Sequence, residues 1–277
     1  MRYNRGMEKY LISLDLDETI LDRKSKLPLL TQIGLKAIMR NGHYVILNSG
    51  RPYHGMLPFI KKLNLYNYPF IASNGGGIFY VNRRNEIIRR HLFPIDSSLL
   101  EEFFDAIQPY LTYVYLQAES DTYYYRPDQV PFYMKHHSEK IAEHEVFRFR
   151  FDREIFLCSF AYTATAKEKV KKIMEKRKFE KLSFLFWEER DGMLCFDLQS
   201  SDTDKGRAMI YLAKKLRVKP EHIFAFGDAK NDLPMLKSAH QARLIKTDKI
   251  IEEDFPQLEK SPNAVIRYLF KNYRDLF

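Results

Sequence analysis

The chain has 277 residues, 45% of them hydrophobic and 14% aromatic, and its 45 Lys and Arg against 36 Asp and Glu leave a net charge of +9. That length and apolar content predict two folding units with packed cores. Two cysteines, Cys158 and Cys195, exclude a disulfide framework and have no metal-site spacing.

No secretory apolar region opens the chain and no apolar run is long enough to span a bilayer, so a soluble, cytoplasmic protein without membrane partners is expected. A positive surface serves nucleic acid or draws small anions. The densest basic run, 167–181, is punctuated by glutamates and has Val170, Ile173 and Met174 at helical spacing, which is the pattern of a solvated helix face. No zinc-finger spacing, basic-zipper heptad or RNA-binding signature accompanies it, so nucleic acid is not an expected partner.

In chain order, Leu11, Ile12, Leu14 and Leu16 form an apolar run too short for a helix, read as a buried parallel strand that ends in Asp15 and Asp17. Residues 31–40 predict a helix with Ile33, Ala37 and Ile38 inward, closed by Asn41-Gly42. A second apolar strand ends in Ser49-Gly-Arg51-Pro52, a helix runs to Lys62, and a third strand breaks at Ser73-Asn74-Gly75. Strand and helix in alternation predict a doubly wound parallel sheet.

The texture changes after Ile78. A hairpin is expected around 82–85, and then a helix from Asp96 or Ser97 to Gln108. Strands are expected over 111–117, 122–126, 146–151, 156–162 and 184–188, several alternating with period two. Helices are expected over 132–145 and from Ala166. Tyr113, Tyr115, Tyr123, Tyr124 and Tyr125 read as core rather than as a binding platform. This α+β segment has the content of a small domain inserted into the parallel-sheet one. The parallel texture then returns, with a helix over 204–216 carrying Met209, Leu212, Ala213 and Leu216 on one face. After it come a strand over 223–226, a short strand over 242–245 and a closing helix over 264–272.

Four strands thus end in polar residues: Asp15 and Asp17, then Ser49 and Arg51, then Asn74, then Asp228 with Asn231 and Asp232. Ligands of open parallel sheets bind outside the carboxyl ends of the strands, so these side chains converge on one crevice if the strands are neighbours. A turn serine, a left-handed asparagine or a capping aspartate explains each one singly, but not their common position. Lys205, in the first turn of a helix, opposes the helix dipole and gains a purpose beside a carboxylate cluster and a phosphate.

Together Asp15-Leu-Asp17-Glu-Thr19, Ser49 in Asn-Ser-Gly-Arg, Lys205 in Asp-Lys-Gly and Gly227-Asp228-Ala-Lys-Asn231-Asp232 resemble the four motifs of the haloacid dehalogenase-like (HAD) superfamily. The large insertion between the second and third motifs, with Ser73-Asn74-Gly75, is similar to the Cof-type branch, subclass IIB. Glu18 departs from that branch, which usually has glycine there, and His240-Gln-Ala-Arg243 lacks its Gly-Asn-Ala. The resemblance implies an α/β fold: a Rossmann-like doubly wound core, residues 1–90 and 201–277, with an inserted α+β (C2-type) cap, residues 91–200.

It also implies a magnesium-dependent phosphatase of a small phosphorylated metabolite, acting through an aspartyl-phosphate as a monomer or homodimer. Asp15 would be the nucleophile and Asp17 the acid and base, while Ser49 and Lys205 would bind the phosphoryl oxygens. Mg2+ would be held by Asp15, the Asp17 carbonyl and Asp228, with Asp232 at the ion's periphery or on Lys205. Arg51, Asn74 and Asn231 are the candidates for substrate or cap contact. A phosphomutase or phosphotransferase on the same site, and a non-catalytic binder of anions or nucleic acid, are the alternatives.

Overall fold

The structure, a computed structural model, describes residues 8–119, 121–131, 142–247 and 251–277. The first stretch runs β1 (Leu11–Leu14), α1 (Leu29–Arg40), β2 (Tyr44–Leu47), α2 (Tyr53–Leu63), β3 (Pro69–Ala72), β4 (Gly77–Val81) and β5 (Ile87–Leu92). The middle stretch holds α3 (Ser97–Ile107), β6 (Leu111–Ala118), β7 (Asp121–Tyr125), β8 (Ala142–Glu145), β9 (Ile155–Thr163), α4 (Lys167–Met174), β10 (Leu182–Arg190) and β11 (Met193–Ser200). The last comprises α5 (Lys205–Leu216), β12 (Ile223–Gly227), α6 (Leu233–Ser238), β13 (Gln241–Ile245), β14 (Gln257–Leu258) and α7 (Ala264–Asn272).

β1 lies inside a parallel sheet of order β14-β13-β12-β1-β2. A single parallel bridge, Asn48 to Ile71, carries it on to β3, which pairs antiparallel with β4 and β4 with β5. Both faces of the parallel sheet are covered, which is why β1 and β12 are buried from end to end. Ile12, Leu14, Val45 and Phe226 pack on α1, α2 and α7, whereas Leu11, Ile46 and Ala225 pack on α5 and α6. The doubly wound sheet expected from the alternation of apolar strands and helices is the observed fold.

α1 turns Thr31, Gly34, Leu35 and Ile38 inward, not Ile33, which is 57% exposed. The helix is rotated to bring Gly34 against α7, where a Cβ on Gly34 would lie 2.7 Å from Ile266 Cγ2. That close approach decides which stripe is buried, and a count of apolar residues alone misses it.

The insert forms a six-stranded sheet of order β10-β11-β9-β6-β7-β8, antiparallel except between β7 and β8. Its apolar cluster joins Phe103 and Phe104 of α3, Val170 of α4, and Leu116, Phe160, Leu194 and Leu198 of the strands. Asp96 caps α3 by accepting from Leu99 N at 2.9 Å. Of the expected tyrosines, Tyr113, Tyr115, Tyr124 and Tyr125 are buried. The lysines of α4 are solvated around buried Val170, as the basic run predicts.

Two expectations fail in the insert. Residues 146–151 are irregular rather than a strand: Phe149 drives inward against the Phe104 ring at 4.7 Å while Phe147 stays 74% exposed, so a loop mimics strand alternation. Of the helix expected over 132–145, residues 132–141 lie outside the described residues, and Ala142–Glu145 is strand β8, paired parallel with β7. β11, which carries Cys195, is a strand that the sequence reading did not assign.

Candidate active site

Four strand ends and one helix start build the crevice. The Asp15 amide continues the β1 ladder by donating to Phe226 O at 3.0 Å, which fixes its side chain at the strand's carboxyl end. A turn follows in which the amides of Thr19, Ile20 and Leu21 converge on Leu16 O, and Glu18 takes a left-handed φ of 58°. After β2, Ser49 is buried and its Oγ accepts from the Arg51 amide at 3.2 Å.

After β3, Ser73, Asn74 and Gly75 have φ of 51°, 53° and 101° in succession. Two left-handed non-glycine residues in a row, Ser73 and Asn74, are costly and persist only where the surroundings over-determine them. Here the amides of Ser73 and Asn74 donate to Arg51 O and Ser49 O at 2.9 and 3.1 Å, and a Cβ on Gly75 would lie 2.4 Å from Asp204 O. The loop therefore ties the end of β2 to the start of α5.

Lys205 opens α5 behind its cap Asp204, whose side chain accepts from Arg207 N. Lys205 is 1% exposed, and its Nζ donates to Asp15 Oδ1 at 2.6 Å and to Asp232 Oδ1 at 2.7 Å. The other oxygen of Asp232 accepts from the amides of Asp228 and Ala229 at 2.9 and 3.0 Å, so both its oxygens are engaged by the protein. Asp228 Oδ1 accepts from Thr19 Oγ1 at 3.1 Å. Asn231 Nδ2 donates to Asn74 Oδ1 at 2.9 Å. Asp17 is turned onto Arg51, which grips both its oxygens, Nε to Oδ2 at 2.8 Å and Nη2 to Oδ1 at 2.6 Å.

The nine singled-out residues Asp15, Asp17, Ser49, Arg51, Asn74, Lys205, Asp228, Asn231 and Asp232 thus stand around one crevice, though not in equal roles. Asn74 and Asn231 hold each other, and Arg51 holds Asp17. The sequence reading missed Thr19 as a partner of Asp228. It also missed three residues of the insert: Gln117, Ser159 and Asp197. Gln117 accepts from Ser73 Oγ at 2.7 Å and donates to Gly50 O at 3.1 Å. Asp197 takes Ser159 Oγ at 2.6 Å and Asn74 Nδ2 at 3.4 Å. A lone acid in the apolar run Met193-Leu-Cys-Phe-Asp197-Leu was the available signal.

Electrostatics set the chemistry. Burial pushes the Asp15 carboxyl well above its ordinary range; Lys205 pulls the other way, while Asp232, Asp228 and Asp17 add repulsion. Burial alone would lower the Lys205 ammonium, but Asp15 and Asp232 outweigh it and raise its pKa. Carboxylate oxygens of Asp15, Asp228 and Asp232 lie within 4.8 Å of one another. Three buried acids around one lysine are a surplus of negative charge, and hard oxygen donors in that surplus fit a small divalent cation.

Residues 12–243 match the family model of haloacid dehalogenase-like hydrolases. The chain is 25% identical over 262 residues to Phosphatase YwpJ of Bacillus subtilis, covering 83% of this chain and 86% of that one. Its fold is similar to a haloacid dehalogenase-like hydrolase from Bacteroides thetaiotaomicron, with a TM-score of 0.75, 19% identity, and coverage of 96% and 100% of the two chains. The subclass IIB sugar phosphatase BT4131 has the same fold, with a TM-score of 0.72, 16% identity, and coverage of 96% and 100%. The family model spans most of this chain's length, and the chain belongs to the haloacid dehalogenase-like hydrolases.

Proposed function

We propose that this enzyme is a magnesium-dependent phosphatase that hydrolyses a small phosphate monoester through an aspartyl-phosphate on Asp15. The observation that carries the reading is the Lys205 ammonium held between Asp15 and Asp232, beside Asp228, at the carboxyl ends of the parallel strands.

Asp15 attacks phosphorus and the bond from phosphorus to the leaving oxygen breaks, giving the acyl phosphate and an alcohol. Asp17 gives its proton to that alcohol oxygen. It then takes one from the water whose oxygen attacks the acyl phosphate, which restores the Asp15 carboxylate and releases inorganic phosphate. Ser49 and Lys205 hold the phosphoryl oxygens as charge shifts onto them. Asp15, the Asp17 carbonyl and Asp228 would hold Mg2+, and when bound it supplies positive charge to the transferring phosphoryl group and to the acids. Asp232, with both oxygens taken, positions Lys205 and the loop of Asp228 rather than binding the ion directly.

The catalytic core is assigned to residues 1–90 and 201–277 and the cap to 91–200. The six-stranded sheet and its apolar cluster, all within the inserted segment, support that division. The test is release of phosphate from p-nitrophenyl phosphate with and without Mg2+. Turnover that survives exhaustive chelation, with no metal retained, would remove the metal from this reading.

A further inference from the structure

The crevice contains a half-buried acid that the proposed chemistry does not use. On β11, Leu194 and Leu198 turn to the apolar cluster under α3 and α4, so Asp197 turns to the opposite face of the cap sheet, towards the core. Across the sheet it registers with Ser159 of β9, and Ser159 with Tyr115 of β6. Gln117, two residues on from Tyr115, shares that face and reaches Gly50 O and Ser73 Oγ. Beside an apolar cluster on the same face that includes Tyr113, Tyr115, Ala161 and Cys195, the cap therefore presents a polar wall of Asp197, Ser159 and Gln117 to the loops of Ser49, Arg51 and Asn74.

Asp197 is the charged member of that wall. Its Oδ1 accepts from Ser159 Oγ at 2.6 Å and its Oδ2 from Asn74 Nδ2 at 3.4 Å. Asn74 links onward to Asn231, in the loop of Asp228 and Asp232, and the charge of Lys205 reaches the Asp197 carboxyl. Burial moves that carboxyl only to about 6, so it is ionised near neutral pH.

The charge count points the same way. With Asp17 carrying the proton it gives to the leaving oxygen, the carboxylates of Asp15, Asp228, Asp232 and Asp197 face Lys205 and Arg51, four against two, so a divalent ion just balances them and leaves no positive charge to spare. Lys230, in the same loop as Asp228, lies over the Phe186 ring at 5.7 Å instead. An ionised carboxylate accepts hydrogen bonds and donates none.

We infer that Asp197 is a specificity-determining residue, which accepts a hydrogen bond from a hydroxyl or ammonium group of the leaving alcohol and rejects leaving groups that carry a second anion. This rests on the phosphatase reading of the site. The leaving alcohol lies between the phosphoryl group and the cap wall. A donor there meets Asp197 in place of the long Asn74 contact, and a carboxylate or second phosphate meets it with repulsion in a poorly screened crevice.

The experiment uses the full chain with Mg2+. No hydrolysis of p-nitrophenyl phosphate would sink the phosphatase reading itself. Given hydrolysis, glycerol 3-phosphate is compared with 3-phosphoglycerate, which carries a carboxylate where the first carries a hydroxymethyl group. Near neutral pH the ratio of their kcat/KM values is expected to favour glycerol 3-phosphate by about tenfold or more. In Asp197→Asn that ratio is expected to fall at least about threefold, mainly through KM. A smaller ratio in the parent enzyme overturns the inference whether or not the variant folds. So does an unchanged ratio in Asp197→Asn or in a second variant, Asp197→Ser, because a merely structural carboxylate would move both substrates alike.

Discussion

Arg51 closes on Asp17 with two hydrogen bonds, Nε to Oδ2 at 2.8 Å and Nη2 to Oδ1 at 2.6 Å. The Arg51 side chain is 9% exposed and that of Asp17 44%. Arg51 is itself seated over the Phe59 ring at 5.3 Å, so the guanidinium is the fixed partner and the carboxylate the movable one. A bidentate pair of this kind orients a carboxylate, and lysine cannot reproduce it.

If Arg51 aims Asp17 at the leaving oxygen, Arg51→Lys should slow esters of poor leaving groups far more than p-nitrophenyl phosphate. The expected losses in kcat are about 10–100-fold for an alkyl phosphate and under about threefold for the activated ester, since general acid catalysis contributes ~10²–10⁴ only where the leaving group needs a proton. Equal losses on both esters would assign Arg51 to substrate binding instead.

Lys205→Met leaves Asp15 and Asp232 buried without their shared cation. Breaking a buried pair by removing one partner typically costs about 3–5 kcal/mol. Thermal unfolding in chelator should show a Tm lowered by several degrees or more, and added Mg2+ should recover part of it. Turnover should be lost in either condition.

Glu18 stands in a left-handed turn at φ 58°, a conformation that glycine adopts without strain. A left-handed non-glycine residue costs roughly 1–2 kcal/mol, part of which glycine recovers. Glu18→Gly should therefore raise stability by about 1 kcal/mol, read as a shift in the denaturant midpoint at constant m. A lowered midpoint would mean that the contacts of Glu18 outweigh its backbone cost.

Asp197 predicts a pH effect of definite sign. Burial raises its folded pKa from 3.8 to about 6, with Ser159, Asn74 and Lys205 pulling the other way. The folded state then holds the proton over that window more tightly than the unfolded chain, so stability falls as pH rises from 3.8 to about 6. The penalty above that window is at most on the order of 3 kcal/mol. Asp197→Asn should be more stable than the parent at neutral pH and close to it near pH ~4. A difference independent of pH would show that the carboxyl is not strained by burial.

What was legible in the sequence had a local cause. β1 is apolar at every position because both faces of a parallel sheet are covered, and the acids that follow it stand out against that run. Lys205 was visible because lysine is disfavoured in the first helical turn, and its partners explain why it is there. What was not legible depends on packing between distant segments. Ile33 faces solvent because Gly34 meets Ile266 of α7. The Arg51–Asp17 pair joins residues 34 positions apart, and Asp197 reaches Asn74 from 123 positions away. The irregular 146–151 segment borrowed the alternation of a strand because Phe149 is buried in the insert's core and Val146 and Phe151 pack partly against it, while Phe147 stays exposed.

The most direct test of the proposed chemistry is to quench the enzyme in acid during turnover and locate the phosphoryl group by mass spectrometry. The Asp17→Asn variant with p-nitrophenyl phosphate is the better source, because loss of the second proton transfer should let the acyl phosphate accumulate. One phosphoryl group on Asp15 is expected, absent in Asp15→Asn. Turnover without any phosphoenzyme, or a label on another side chain, would contradict the assignment of Asp15 as the nucleophile.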